Sequence, residues 1–190
     1  MHCYSRTSLR KRNAIILVVL TLLPTAICAQ TTEQSFQMSG GRLHASITVS
    51  DPPSERIIGS LRDGLESEVR YDVRVYEHTG GFLGFFGDRV VGEYSQTYRA
   101  KWDEFSGYFI LNAEGRPTRR TISAQSFLTE LFKLSNVDTG IRLERNDRYY
   151  VLSDVRIQIV RLVPPLTMIA PFLSRRQINT DWAKTEITSP

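Results

Sequence analysis

A mainly β fold is what this 190-residue chain predicts: β-sandwich-like antiparallel sheets with meander connections, and one or two short helices in the crossovers. Three observations lead there. Apolar and polar residues alternate with a period of two over several segments, which is the pattern of a half-buried strand. Turn residues such as Ser106-Gly107 and Asn112-Ala113-Glu114-Gly115-Arg116-Pro117 separate neighbouring segments at short intervals. Only two stretches show the wider spacing of an amphipathic helix, and such a mixture is built as packed sheets with helical crossovers.

Residues 1–29 stand apart. Arg6, Arg10, Lys11 and Arg12 form a basic start with no acidic residue, and an uncharged run follows from Ala14 to Leu23. Pro24 stops any helix there, because it lacks an N–H and its ring clashes one turn back. Ala26-Ile27-Cys28 then places small residues at both recognition positions of a cleavage site, with Ala29 as the new N-terminus. Basic, apolar and small in that order is the pattern of a secretory signal peptide. This ten-residue uncharged run falls short of the ~20 apolar residues that a spanning helix needs. The expected division is a signal over 1–29 and a single β-rich envelope domain over 30–190, exported to the periplasm or the extracellular space. Lipidation at Cys28 is the lesser alternative.

The elements follow in order. Leu43, Ala45, Ile47 and Val49 alternate with Arg42, His44, Ser46 and Thr48, and Asp51-Pro52-Pro53 ends that strand. From Ser54, the spacing of Ile57, Ile58, Leu61 and Leu65 fits a short helix, weakened by Gly59 and Gly64. Val69, Tyr71, Val73 and Val75 form the clearest strand. After a glycine-rich loop, Val90, Tyr94, Tyr98, Ala100 and Trp102 share one side of the next, and Tyr108 to Leu111 follows. Ser123 is a good N-cap, with Ile122 and Phe127 in position for a hydrophobic staple. Leu128, Leu131, Phe132 and Leu134 supply the buried stripe, and Gly140 ends a connecting loop. A long strand from Tyr149 to Leu162 turns Val151, Val155, Ile157 and Ile159 inward, and Asp154, Arg156 and Gln158 toward solvent. Leu166 to Leu173 reads as a packed connection, and a last strand runs from Trp182 to Ile187.

Charge and composition exclude several classes. Residues 1–29 hold four of the 24 basic side chains and none of the 20 acidic ones, so the rest of the chain carries 20 of each. A net charge near zero argues against the phosphate attraction that drives nucleic-acid binding. Both cysteines, Cys3 and Cys28, lie in the signal. Without disulfides, stability has to come from packing, and about 160 residues bury roughly 70% of the unfolded surface.

The strand ending Ser50-Asp51-Pro52-Pro53, the segment Glu68-Val69-Arg70-Tyr71-Asp72-Val73-Arg74-Val75 and the stretch Tyr98-Arg99-Ala100-Lys101-Trp102 form an ordered set. The Phe127–Leu134 helix, Ser153-Asp154-Val155-Arg156-Ile157 and Asp181-Trp182 complete it. In that order, from Phe36 to Ile187, the chain resembles the bacterial family called domain of unknown function 4390. The resemblance implies an export signal and no established activity, and it points to genes beside membrane sensor kinases. Where such proteins have a tryptophan-rich hairpin, this chain has glycine and phenylalanine.

Enzyme signatures are missing: no Gly-x-Ser-x-Gly elbow, zinc helix, phosphate loop or dinucleotide fingerprint. No cofactor and no metal is expected. Outside the signal there are two histidines, His44 on a polar strand face and His78 at a loop start. Asp51, Asp72 and Glu77 have no spacing that would complete a metal site with them. Asp103 and Glu104 read as solvated turn charges, and Asp154 as a cross-strand pair on an exposed face.

One segment is unusual. Thr79-Gly80-Gly81-Phe82-Leu83-Gly84-Phe85-Phe86-Gly87-Asp88 interleaves aromatics with glycines where loops are normally polar. One reading plugs the end of the sheets with these side chains. The other projects Phe82, Leu83, Phe85 and Phe86 as anchors, with Arg89 at the rim, to dock on a partner such as an envelope protein or membrane sensor, or on a membrane surface. The alternative function is a pocket for an apolar small molecule or lipid between the sheets, lined by Tyr71, Tyr94, Tyr98 and Trp102. Strand addition at the edge near Trp182 is a further docking mode.

Overall fold

The alternating segments pair into two antiparallel sheets in the computed structural model, which describes residues 32–79, 87–144, 148–161 and 177–188. The strand β1 (Thr32–Ser39) and β2 (Arg42–Val49) form a hairpin closed by Gly40 and Gly41, whose φ values of 58° and 74° suit glycine. The helix α1 (Ser54–Arg62) buries Ile57 and Leu61 and stops before Gly64, where φ is 79°. Next come β3 (Glu66–Glu77), β4 (Arg89–Asp103), β5 (Tyr108–Ala113) and the short β6 (Arg119–Thr121). These four form the expected antiparallel meander.

The helix α2 (Ala124–Leu131) starts at Ser123, whose hydroxyl accepts the Ser126 N–H at 3.3 Å. It leads to β7 (Lys133–Arg142), β8 (Arg148–Arg161), β9 (Gln177–Asn179) and β10 (Ala183–Thr188). The small sheet has the order β1-β2-β7. The large one runs β10-β8-β3-β4-β5-β6, with β9 also on β8. The helix α1 carries the chain from the small sheet to the large, and α2 carries it back.

Between the sheets lies one core. Leu43, Ala45 and Ile47 of β2 face Val69, Tyr71, Val73 and Val75 of β3, all fully buried. Each such large side chain contributes roughly 1.5–3 kcal/mol of burial. The Tyr71 hydroxyl donates to the Leu131 carbonyl at 2.9 Å, which satisfies a carbonyl at the end of α2. Across the core, Ser153 of β8 donates to the side chain of Gln34 on β1. The mainly β expectation therefore holds.

Four local expectations need correction. Ile122 is exposed, while Phe127 is buried and stacks on Phe109 at 4.9 Å, so there is no staple. Residues 133–142 form a strand and not a connecting loop. Its register on β2 slips between the pairs Ala45–Val137 and Ile47–Leu134, so its buried residues lose strict alternation. A similar slip leaves Val91 unpaired between the pairs Val75–Gly92 and Tyr76–Val90. That bulge turns Val90 to the outer face, where it is 49% exposed, instead of inward beside Tyr94. Asp154 is buried at 5% exposure and not on an open face. The connection expected at Leu166–Leu173 lies outside the described residues.

Candidate interaction surface

Register places aromatic residues of two neighbouring strands side by side on the outer face of the large sheet. Tyr76 of β3 is paired with Val90 on one side and Tyr150 of β8 on the other, and Tyr150 with Glu186 of β10. The Tyr76 and Tyr150 rings stack at 5.1 Å with a 5° interplanar angle. Lys184 places its ammonium 4.2 Å from the centre of the Tyr150 ring. Beyond it, the Arg74 guanidinium lies 5.0 Å over Trp182, which stays 42% exposed. Cations above ring faces hold such rings in place. The result is a row of Val90, Tyr76 and Tyr150 on three adjoining strands, with Trp182 set to one side just before β10.

This row meets the neck of the glycine-phenylalanine loop. The His78 N–H donates to the Arg148 carbonyl at 2.9 Å, and the Thr79 N–H to Asp88 at 3.2 Å. His78 Nδ1 is 3.5 Å from the Asp88 carboxylate, and its ring lies 4.9 Å from that of Tyr150. Arg89 donates twice to one oxygen of Glu77, at 2.6 and 2.9 Å. The Thr79 N–H chiefly holds the Asp88 carboxyl below the usual range, helped by Tyr150 and the nearby charge of His78. Burial, and then the Asp88 carboxylate, pushes the Tyr150 hydroxyl up.

Of the anchors read from the sequence, Phe82, Leu83, Phe85 and Phe86 lie outside the described residues. Arg89 is exposed as expected, but its guanidinium clamps the neck through Glu77. His78 belongs to the same clamp. His44 lies on the small sheet opposite Asp138, far in the topology from His78. Among the described residues no three His, Cys, Asp or Glu side chains come together as a metal site. Asp103 accepts the Phe105 and Ser106 N–H groups and the Ser106 hydroxyl, so it organises the β4–β5 turn. The Ser106 hydroxyl is the main reason its carboxyl lies below the ordinary range.

The four aromatics expected between the sheets do not line one pocket. Tyr71 is core, and Trp102 packs on Phe109 at 4.5 Å. Tyr98 meets Tyr71 edge to face at 5.8 Å but turns its hydroxyl toward Arg116 of the β5–β6 turn, which is 3.2 Å away. There it opens on a cleft of about 280 Å³ between that turn, α2 and the start of β7. Burial pushes up the hydroxyls of both Tyr94 and Tyr98, with Arg116 opposing the shift in each.

A charge cluster supports the edge that carries Trp182. Asp72 and Asp154 are direct partners on β3 and β8, and both are buried. Arg156 donates to Asp72 at 2.5 Å and to Asp154 at 3.2 Å, and Arg70 adds a bond to Asp72 at 3.0 Å. Thr180 donates to Asp154 at 3.3 Å and accepts the Val155 N–H at 2.9 Å, which ties the β9–β10 connection to β8. Sequence reading missed this row and cluster, because cross-strand neighbours appear only once register is known.

No curated protein and no solved structure matches the chain. A family model does, over residues 29–186 and so over every described element but the end of the last strand. That model is described as a domain of unknown function, DUF4390, and the chain belongs to this family.

Proposed function

We propose that this domain is a non-catalytic protein-interaction module of the bacterial cell envelope, an accessory to a membrane protein such as a sensor. It docks through the outer face of its large sheet and the adjoining aromatic loop. One observation carries the reading: Val90, Tyr76 and Tyr150 stand in a row on adjoining strands beside the clamped neck from which the loop departs, and Trp182, just before β10, extends the aromatic face away from that neck. Interface cores are enriched in aromatics held in well-packed positions with arginine nearby. Here the rings are already fixed by stacking and by Arg74 and Lys184, so little side-chain freedom remains to be lost on docking. Export follows from the signal-like residues 1–29.

The test is recovery of partners from cells after chemical crosslinking, comparing wild type with Tyr150→Ser/Trp182→Ser. Both positions are on the surface of the sheet, so the variant is expected to melt within a few degrees of wild type. A membrane-embedded partner recovered with wild type and lost with the variant supports the module. Equal recovery with the two proteins contradicts it.

A further inference from the structure

A second site lies on another part of the fold. The cleft beside Tyr98 is lined by Leu111 and Ala113 together with Arg116, Arg119 and Lys133, with Glu130 as its one carboxylate. Glu130 is taken by Arg119 at 2.9 Å. Among the described residues neither Arg116 nor Lys133 has a carboxylate partner. Arg116 spends N–H groups on two hydroxyls, that of Tyr98 at 3.2 Å and that of Tyr94. A guanidinium has five N–H donors in a fixed fork that matches a carboxylate, so the others remain to bind. The cleft thus holds three cations against one committed anion, with Leu111 and Ala113 as apolar neighbours. Its volume of about 280 Å³ has room for a ligand of roughly nine heavy atoms, at ~30 Å³ per water-sized group.

We infer that this cleft binds a small organic carboxylate, its head between Arg116 and Lys133 and its short apolar body on Leu111 and Ala113. This site is independent of the docking face and stands or falls separately from it. The carboxylate is preferred to a mineral anion because Leu111 and Ala113 border the cations and reward a short hydrocarbon tail.

The experiment titrates purified protein at low ionic strength with butanoate, butanamide and inorganic phosphate, following the Tyr98 ring and Arg116 Nε signals by NMR. Butanoate is expected to produce a saturable shift, with butanamide and phosphate at least tenfold weaker. Arg116→Gln and, separately, Lys133→Gln are each expected to weaken butanoate at least fivefold. Arg120→Gln, whose strand position faces the other side of the sheet, is expected to stay within twofold. Well-dispersed spectra of each variant show that it is folded. A shift that does not saturate, equal binding of butanamide or phosphate, or equal losses with Arg120→Gln and Arg116→Gln would overturn the assignment.

Discussion

Replacing Arg156 with methionine removes the cation that bridges two buried carboxylates. Asp72 and Asp154 would then face each other across β3 and β8, with Arg70 left for Asp72 and Thr180 for Asp154. Breaking a buried ion pair by deleting one partner typically costs 3–5 kcal/mol. The Arg156 side chain is 36% exposed, so water reaches the site and the low end of that range applies, about 3 kcal/mol. For a domain of this size each kcal/mol lowers Tm by about 2–4 °C, so a drop of roughly 6–12 °C is expected. Urea unfolding followed by circular dichroism gives the free energy. Tryptophan fluorescence, with the Trp102 signal subtracted by a Trp182→Phe control, reports the β9–β10 edge, which the same cluster holds through Thr180. Adding Asp154→Asn to Arg156→Met should restore about half the loss, since one unpaired charge is gone while an acceptor for Thr180 remains. A loss under about 1 kcal/mol for Arg156→Met, or a further loss on adding Asp154→Asn, would refute the view that the buried charges need this bridge.

Three more outcomes follow from the geometry. Tyr71→Phe leaves the Leu131 carbonyl without its 2.9 Å donor in the core, so it should cost about 1–3 kcal/mol in urea unfolding, with little change in the spectrum of the folded protein. Gly92→Ala brings a Cβ to 3.0 Å from Cγ1 and 3.1 Å from Cγ2 of Ile141 where β4 meets β7, and should cost about 1–3 kcal/mol, less when combined with Ile141→Ala, which removes both γ carbons. The loop neck should respond to pH through Asp88. Because its carboxyl is held below the ordinary value, its stabilising effect is complete above the usual aspartate range and is lost as pH falls through the lowered value. Hydrogen exchange at the Thr79 amide should therefore lose protection in acid, and Asp88→Asn should abolish that dependence.

Strong strands were legible because each has one buried face. The alternation of Leu43 to Val49 and Val69 to Val75 is uninterrupted, that of Val151 to Ile159 breaks at Leu152 and Ser153, and all three are strands facing the core. The helices showed themselves through Ile57 with Leu61 and through Ser123 with Phe127. The residues that escaped have a common physical cause. Only Phe36 and Met38 mark β1, an edge strand with little apolar surface to bury. The slip near Asn136, where φ is 43°, broke the period of β7. The bulge at Val91 reversed Val90.

The candidate surface was legible only in part. Composition marked the loop, and the position of Arg89 beside it was right, but Arg89 serves the neck through Glu77. Tyr76, Tyr150 and Trp182 are distant in sequence, the first two ordinary outward residues on their strands and the third just ahead of β10. Their stacking depends on the register of β3 with β8 and β10. For the same reason Asp154 looked solvated until Asp72, Arg156 and Thr180 were brought around it.

The most direct test of the docking face is site-specific photocrosslinking in the native cell, with the probe at Phe85, at Tyr150 and, as a control on the outer side of β1, at Gln37. The account predicts that Phe85 and Tyr150 capture the same membrane-embedded envelope protein and that Gln37 does not. Crosslinks confined to the chain itself, lipid as the only capture, or the same product from all three positions would contradict it.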